Sequence, residues 1–406
     1  MRTKRTTLFL TFFAAGAMCL LRPGQCYAQA DSASAVKEVN SPNGGAEKFL
    51  LAGEATTLWQ SNTTQAYQGM KSVTTNSFGA DPLGLMLMPL VKISDRLFLD
   101  AQIAVTANQG LGAGGSASAG LNEAIIYYRL APGAYLFTGF VPIRTGLYEG
   151  ILDDFTNRFG TDPVGMGIVA APQPAVGIQG GLQTGTAKIN YQLYVANGPR
   201  LLVDSTGAAN GQLDYGNFTD NNQNKAIGGS IGFLPLSNSN LEIGISGQYT
   251  PKTGDAGSNL ESINNTAIAA YLNYYHVFNP LMVRLQGQYE ESQTQSFALY
   301  TDNTDTSVLV PSFNNKTTGW YGGITFRLSG SQNKFLSNLE LGARIGQLTL
   351  PQDTLCLWTQ KPVNQTTICL TYWITWKTPI NIAYDIYTQN GSSTQTALIV
   401  RGMWFF

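Results

Sequence analysis

The 406-residue chain is poor in charge: 12% of its residues are charged against 43% apolar, about half the charged share usual in soluble globular chains. Residues 1–30 hold four of the 24 basic residues (Arg2, Lys4, Arg5 and Arg22) and no acidic one, so the remainder is formally acidic, which excludes the basic footprint of a nucleic-acid binder. No second apolar run reaches the 18 residues that a helical span needs, whereas a transmembrane β-barrel dilutes its apolar residues with a polar lining.

In chain order, Arg2, Lys4 and Arg5 precede the run LFLTFFAAGAMCLL, and Ala28-Gln29-Ala30 supplies an A-x-A site. This is the pattern of a cleaved secretory signal peptide over residues 1–30. Residues 31–48 read as a short flexible leader, too short for a folded plug. Cys19 and Cys26 leave with the signal. An exported chain meets an oxidising compartment, so Cys356 and Cys369 are expected to form a disulfide that closes an external loop, with two free thiols as the alternative. No metal site and no cofactor are expected, since His276 is the only histidine and lies far from both cysteines in sequence.

From Phe49 onward, runs of about ten residues alternate apolar and polar side chains, the period-two signature of barrel strands. The clearest are LEIGISGQY (241–249), LMVRLQGQY (281–289), AKINYQLYV (187–195) and INIAYDIY (380–387). Strands are expected at 49–60, 78–93, 96–108, 120–130, 134–143, 174–184, 187–197, 224–235, 240–250, 265–278, 281–296, 317–328, 336–349, 366–377, 380–389 and 394–406. These sixteen make residues 49–406 an all-β, transmembrane antiparallel barrel. Short connections rich in turn formers, such as Ser94-Asp95, Ala131-Pro132-Gly133, Gly185-Thr186, Asn279-Pro280 and Thr378-Pro379, alternate with long ones near 61–77, 109–119, 144–173, 198–223, 251–264, 297–316 and 350–365. A soluble sandwich has no reason to segregate loop length by end, and a barrel with short periplasmic turns and long external loops does.

Alternation also phases the charges. Glu54, Lys92, Arg96, Asp100, Glu123, Arg129, Lys188, Glu242, Arg284, Glu290, Arg327, Glu340, Arg344, Lys377, Asp385 and Arg401 fall opposite each strand's apolar set and are expected to line the lumen. A charged side chain facing lipid near the midplane costs about 2–4 kcal/mol, so their common phase is what a membrane barrel requires. The longest connection, 144–173, is rich in apolar residues and carries Arg144, Asp153, Asp154, Arg158 and Asp162. Charges of both signs there predict modest ion selectivity, because a strict filter needs a one-sided field. Residues 201–222 are expected to matter much less to the lumen.

The last stretch, TQTALIVRGMWFF, alternates an uncharged face through Leu398, Val400, Gly402, Trp404 and Phe406 with one holding Arg401. It resembles the closing strand of bacterial outer-membrane barrels, and the resemblance implies that Trp404 and Phe406 belong to the signal read by the barrel-assembly machinery. With NYQLYVANGP (190–199) and VRLQGQYEE (283–291), it makes the chain similar to porins of the phosphate-selective O and P type and related sixteen-stranded porins. The resemblance implies an outer-membrane location with both termini periplasmic, lipid around the barrel, a third external loop (here 144–173) folded into the lumen, passive diffusion of small polar solutes or ions, and assembly as a homotrimer. Asp153, Asp154 and Asp162 depart from that family's basic constriction. A non-conducting structural or adhesive barrel is the alternative, followed by an outer-membrane hydrolase. Enzymatic activity is not expected, because a nucleophile needs an adjacent base and His276 falls in phase with Ile268, Leu272, Tyr274 and Phe278, toward lipid.

Overall fold

The computed structural model describes residues 49–64, 73–77, 83–109, 115–143, 145–147, 157–165, 168, 172–203, 211–220, 224–297, 299–300, 308–310, 314–351, 362–389 and 394–406. The expected signal peptide and leader lie outside them. Sixteen strands build the barrel: β1 (Phe49–Thr64), β2 (two segments, Val73–Ser77 and Leu83–Lys92), β3 (Leu97–Gln109), β4 (Gly115–Ala131), β5 (Ala134–Pro142), β6 (Pro172–Thr184), β7 (Ala187–Ala196), β8 (Ala226–Leu234), β9 (Leu241–Thr250), β10 (Asn265–Val277), β11 (Met282–Thr294), β12 (Asn315–Arg327), β13 (Leu339–Thr349), β14 (Val363–Thr375), β15 (Thr378–Gln389) and β16 (Gln395–Phe405).

Each strand pairs antiparallel with the next, and β16 pairs with β1 from Glu54↔Phe405 to Thr64↔Gln395, which closes the sheet and leaves no edge. Phe406 completes the seam: its N–H donates to Gly53 O at 3.0 Å and its carbonyl accepts from Gly53 N at 3.1 Å. The expected second strand starts earlier than its alternation indicates, because Val73–Ser77 pairs with the far end of β1.

Burial follows the alternation. In β9, Ile243 and Ile245 are exposed while Glu242, Ser246 and Gln248 are buried; in β11, Leu285 and Tyr289 are exposed while Arg284, Gln286, Gln288 and Glu290 are buried. Apolar residues therefore face out and polar residues face the interior, the inverse of a soluble protein and the arrangement a lipid solvent demands.

The short connections share one end of the barrel. Gly133 (φ +84°) and Gly185 (φ +61°) supply the left-handed conformation that the tight β4–β5 and β6–β7 turns need. Between β12 and β13 the turn holds one helical turn, α1 (Lys334–Ser337), capped by Asn333, whose side chain accepts from Phe335 N and Leu336 N. The expected strand there began at 336, inside this turn. At the opposite end, Arg200–Leu201 pairs with Leu213–Asp214, and Leu299–Tyr300 with Val308–Val310, two small ladders that were not expected.

Candidate pore and its inward loops

The connection after β5 does not stay at the rim. Ile143 is buried at its start, Gly146 N donates to Ser246 Oγ on β9 at 2.9 Å, and Leu147 N donates to Gln288 Oε1 on β11 at 2.5 Å. Asn157 then shapes a compact turn by accepting from Phe159 N (3.1 Å) and donating to Thr161 O (2.9 Å) and Asp162 Oδ1 (3.0 Å), with Gly160 at φ +74°. This turn lies on the inner faces of the last five strands. Arg401 Nη2 donates to Asn157 O at 3.4 Å, Cys369 Sγ to Arg158 O at 3.4 Å, and Gln365 Nε2 to Asp162 O at 3.1 Å. Val164 N donates to Gln365 Oε1 at 2.7 Å, and Ile168 N reaches Glu290 Oε2 on β11 at 3.1 Å.

The wall accommodates the turn by removing side chains. A Cβ on Gly319 of β12 would collide with the Gly165 carbonyl, and one on Gly323 with the Phe159 ring. Two glycines on one inner face thus admit the loop at backbone contact distance.

Charges are buried where the loop meets the wall. Arg344 Nη1 and Nη2 donate to Thr161 O (2.6 Å) and Thr161 Oγ1 (2.9 Å), with the guanidinium 5.1 Å from the Phe159 ring centroid. Asp385 accepts from Thr367 Oγ1, from Thr161 Oγ1 at 3.3 Å and from Tyr387 OH at 3.1 Å. Arg158 lies over the Trp373 ring at 4.3 Å, and Trp373 Nε1 donates to Glu340 Oε2 at 3.0 Å. Glu340 also accepts from Thr325 Oγ1 at 2.8 Å and interacts electrostatically with Arg158, Arg284 and Arg327. A low-dielectric interior holds such charges only when they are paired and hydrogen-bonded, so this network has the character of an anchor.

Of the other residues expected in the lumen, Glu54, Glu242, Glu290 and Arg401 are buried on inner faces. Lys92, Asp100, Glu123, Arg129, Lys188 and Arg327 are part-exposed, and on β3 to β5 they share a face with Ile125, Tyr127 and Tyr135 through the pairs Asp100↔Ile125 and Arg129↔Tyr135. Arg96 and Lys377 differ from expectation: both occupy turns, where Arg96 is exposed and Lys377 lies 5.1 Å from the Trp376 ring. Strand ends in the sequence run a residue or two past the ladder, which is why both had been phased with a strand. Of the loop charges, Arg158 is buried and Asp162 exposed, while Arg144, Asp153 and Asp154 lie outside the described residues.

The expected disulfide needs correcting at one end. Cys369 is a free, buried thiol, six residues inside β14 and therefore about 20 Å from the strand's start at 3.3 Å per residue. Its sulfur meets the Arg158 carbonyl of the inward-folded loop and Thr371 Oγ1; Cys356 lies outside the described residues. The strand begins at Val363, three residues before the expected start, which carries Cys369 deeper than its sequence position indicated.

Residues 211–220 also differ from expectation. Tyr215 is buried, and its hydroxyl meets Asn265 Oδ1 on β10 (3.1 Å) and Ser292 Oγ on β11 (2.8 Å), so the long loop that follows 144–173 reaches inner faces as well. Tyr215, Asn265, Ser292, Thr161 and Gln365 are themselves uncharged; strand parity alone pointed to Asn265, Ser292 and Gln365, and nothing in the sequence pointed to the loop residues Thr161 and Tyr215. At the same mouth, ion pairs among the described residues join Arg200 to Asp255, Lys225 to Asp220, Lys252 to Glu261 and Lys316 to Glu291.

No family model matches the chain, and no curated protein matches it. Solved structures do resemble it, among them three bacterial outer-membrane proteins. The outer membrane channel DcaP of Acinetobacter baumannii is 11% identical with a TM-score of 0.51, over 88% of this chain and 97% of that one. The anion-selective porin from Comamonas acidovorans is 11% identical with a TM-score of 0.50, over 88% and 100%. Salmonella typhi OmpF, in complex with daunomycin, is 13% identical with a TM-score of 0.51, over 88% and 97%. The chain thus has the closed sixteen-stranded antiparallel fold found in bacterial outer-membrane porins.

Proposed function

We propose that this protein is a passive channel of the bacterial outer membrane, exported by residues 1–30, that admits small hydrophilic solutes and ions through a lumen narrowed by the loop 144–173. The observation that carries the reading is the set of bonds from Gly146, Leu147 and Asn157–Gly165 to inner-face side chains of β9, β11 and β13–β16. A loop held against the inside of a closed barrel takes up cross-section without filling it. Apolar outer faces support a lipid surround, and β1 and β16 begin and end at the short-turn end, which supports periplasmic termini. The finer kinship with the phosphate-selective O and P type rests on the short motifs alone. By the same resemblance the protein assembles as a homotrimer, which light scattering of the detergent-solubilised protein tests.

Arg158 and Asp162, with Arg144, Asp153 and Asp154 nearby in sequence, put charge of both signs on the narrowing loop, so ion preference is weak. Planar-bilayer recording in unequal KCl reads both points. Wild-type protein should conduct with a small reversal potential, and removing residues 150–165 should raise conductance and alter the cation-to-anion permeability ratio. A folded, inserted wild-type barrel that carries no current would overturn the channel reading in favour of a structural or adhesive barrel.

A further inference from the structure

A channel narrowed by the loop 144–173, the first of the two inward loops, needs nothing from the next, yet the segment Gly211–Asp220 is also bonded to the barrel wall. Tyr215 is its wedge. Its ring packs on Ala267 of β10 together with Leu213 and with Ile168 of the first loop. Its hydroxyl donates to Asn265 Oδ1 at 3.1 Å and shares a 2.8 Å hydrogen bond with Ser292 Oγ, while Asn265 Nδ2 donates to the same Ser292 oxygen at 2.9 Å. One end of the segment is tied to β12, where Asn315 Nδ2 donates to Gly211 O at 2.8 Å. Toward the other end, the exposed Phe218 ring stands 4.6 Å from that of Phe140, which alternates with the inward Tyr135, Phe137 and Val141 and so lies on the outer side of β5, where the segment passes over the rim; Asn217 Oδ1 holds the turn between by accepting from Thr219 N and Thr219 Oγ1. Strands β5 and β10–β12 are not neighbours in the barrel, so the ten residues 211–220 run from one part of the wall to another.

From this we infer that Gly211–Asp220 is a strap across the long-loop mouth, and that with Tyr215 as its fastening it sets the size of solute admitted, while the sign of preferred charge is left to the first loop. The inference rests on the channel reading. Its chemistry separates the two roles: the strap carries only Asp214 and Asp220, the latter paired with Lys225, and its fastening Tyr215 is uncharged, so releasing it removes no charge from the mouth. Its shared cluster with Ile168 also means that loosening the strap loosens the return arm of the first loop at Ile168, while the turn that carries Arg158 and Asp162 stays bonded to Arg344, Gln365 and Arg401.

Tyr215→Ala and Tyr215→Phe test it, with heat-modifiability on gels confirming a folded barrel. Tyr215→Ala should raise single-channel conductance and the swelling rate of liposomes in a neutral trisaccharide relative to a monosaccharide, with the reversal potential in unequal KCl unchanged; Tyr215→Phe, which loses only the hydroxyl, should move the same way by less. Wild-type conductance with Tyr215→Ala indistinguishable from it on both readouts overturns the strap and leaves the channel reading standing. Hydrogen exchange over 211–220 and at Ile168 reads the strap without any current. Exchange there should quicken in Tyr215→Ala, and unchanged protection would overturn the inference even if the wild type proved non-conducting.

Discussion

Arg344 shows what most inner-face charges near the loop do. Both terminal nitrogens of its guanidinium are spent on Thr161, Nη2 also donates to Thr367 Oγ1 at 3.2 Å, and Asp385 acts on it electrostatically. Arg344→Leu therefore strips the loop of two charge-assisted bonds, each worth about 1.5–3 kcal/mol. A lower urea midpoint in detergent and a raised conductance are the expected readouts. Cys369 gives a second prediction: with its thiol buried against the Arg158 carbonyl, it should resist alkylation in the folded protein and react once denatured, and non-reducing mass spectrometry should find no peptide linked through it. A third concerns the long-loop mouth, where Lys252 and Gly257 N donate to Glu261 and hold its carboxyl below the ordinary 4.5. A depressed folded-state value means the stabilisation is complete above 4.5 and is lost as pH falls through the lower value, so proteolysis within 251–264 should quicken only in acid and stay constant from pH 6 to 8. Parity made the ionised residues readable, since each had only two faces to choose from. It could not reveal Thr161 or Tyr215, whose importance comes from what the loops bring to them.

All sixteen strands were legible as elements because period-two alternation persists wherever one side of a sheet meets lipid and the other water. The departures have local causes. The four-residue helix α1 is too short to show a 3.6 period, and only its Asn333 cap could have announced it. The ladder of Arg200–Leu201 with Leu213–Asp214 has two residues a side, below any periodic signal. β16 was the most readable strand, and its pairing explains why it matters: Phe406 exchanges both backbone bonds with Gly53, and its ring packs 5.4 Å from that of Trp404. Phe406→Asp should leave export intact while lowering the amount of heat-modifiable barrel in the outer membrane; wild-type levels would show that the seam does not depend on that ring.

For the molecule as a whole, loop length sorted itself by end in the sequence, but where the loops go did not. A loop's path is decided by partners far away in the chain: Thr161 meets Arg344 across 183 residues, and Asn157 meets Arg401 across 244. No local pattern encodes such distances, which is why the inward turn was expected by likeness of position and the strap was not expected at all. The same separations fix an order of events during assembly. The loop after β5 leads its wall in the chain, and the wall it needs is complete only when β16 is in place. Arg158 has no Trp373 or Cys369 to settle against until β14 is in place, Asn157 has no Arg401 until β16 is, and loop closure over so many residues is entropically costly before those contacts exist. The last strand therefore does two things in one step: it seals the cylinder against β1, and through Arg401 it supplies the final grip on the turn inside. On the channel reading proposed above, a barrel caught half-inserted would be wider at its waist than the finished one, and it would become selective only at the moment it became closed.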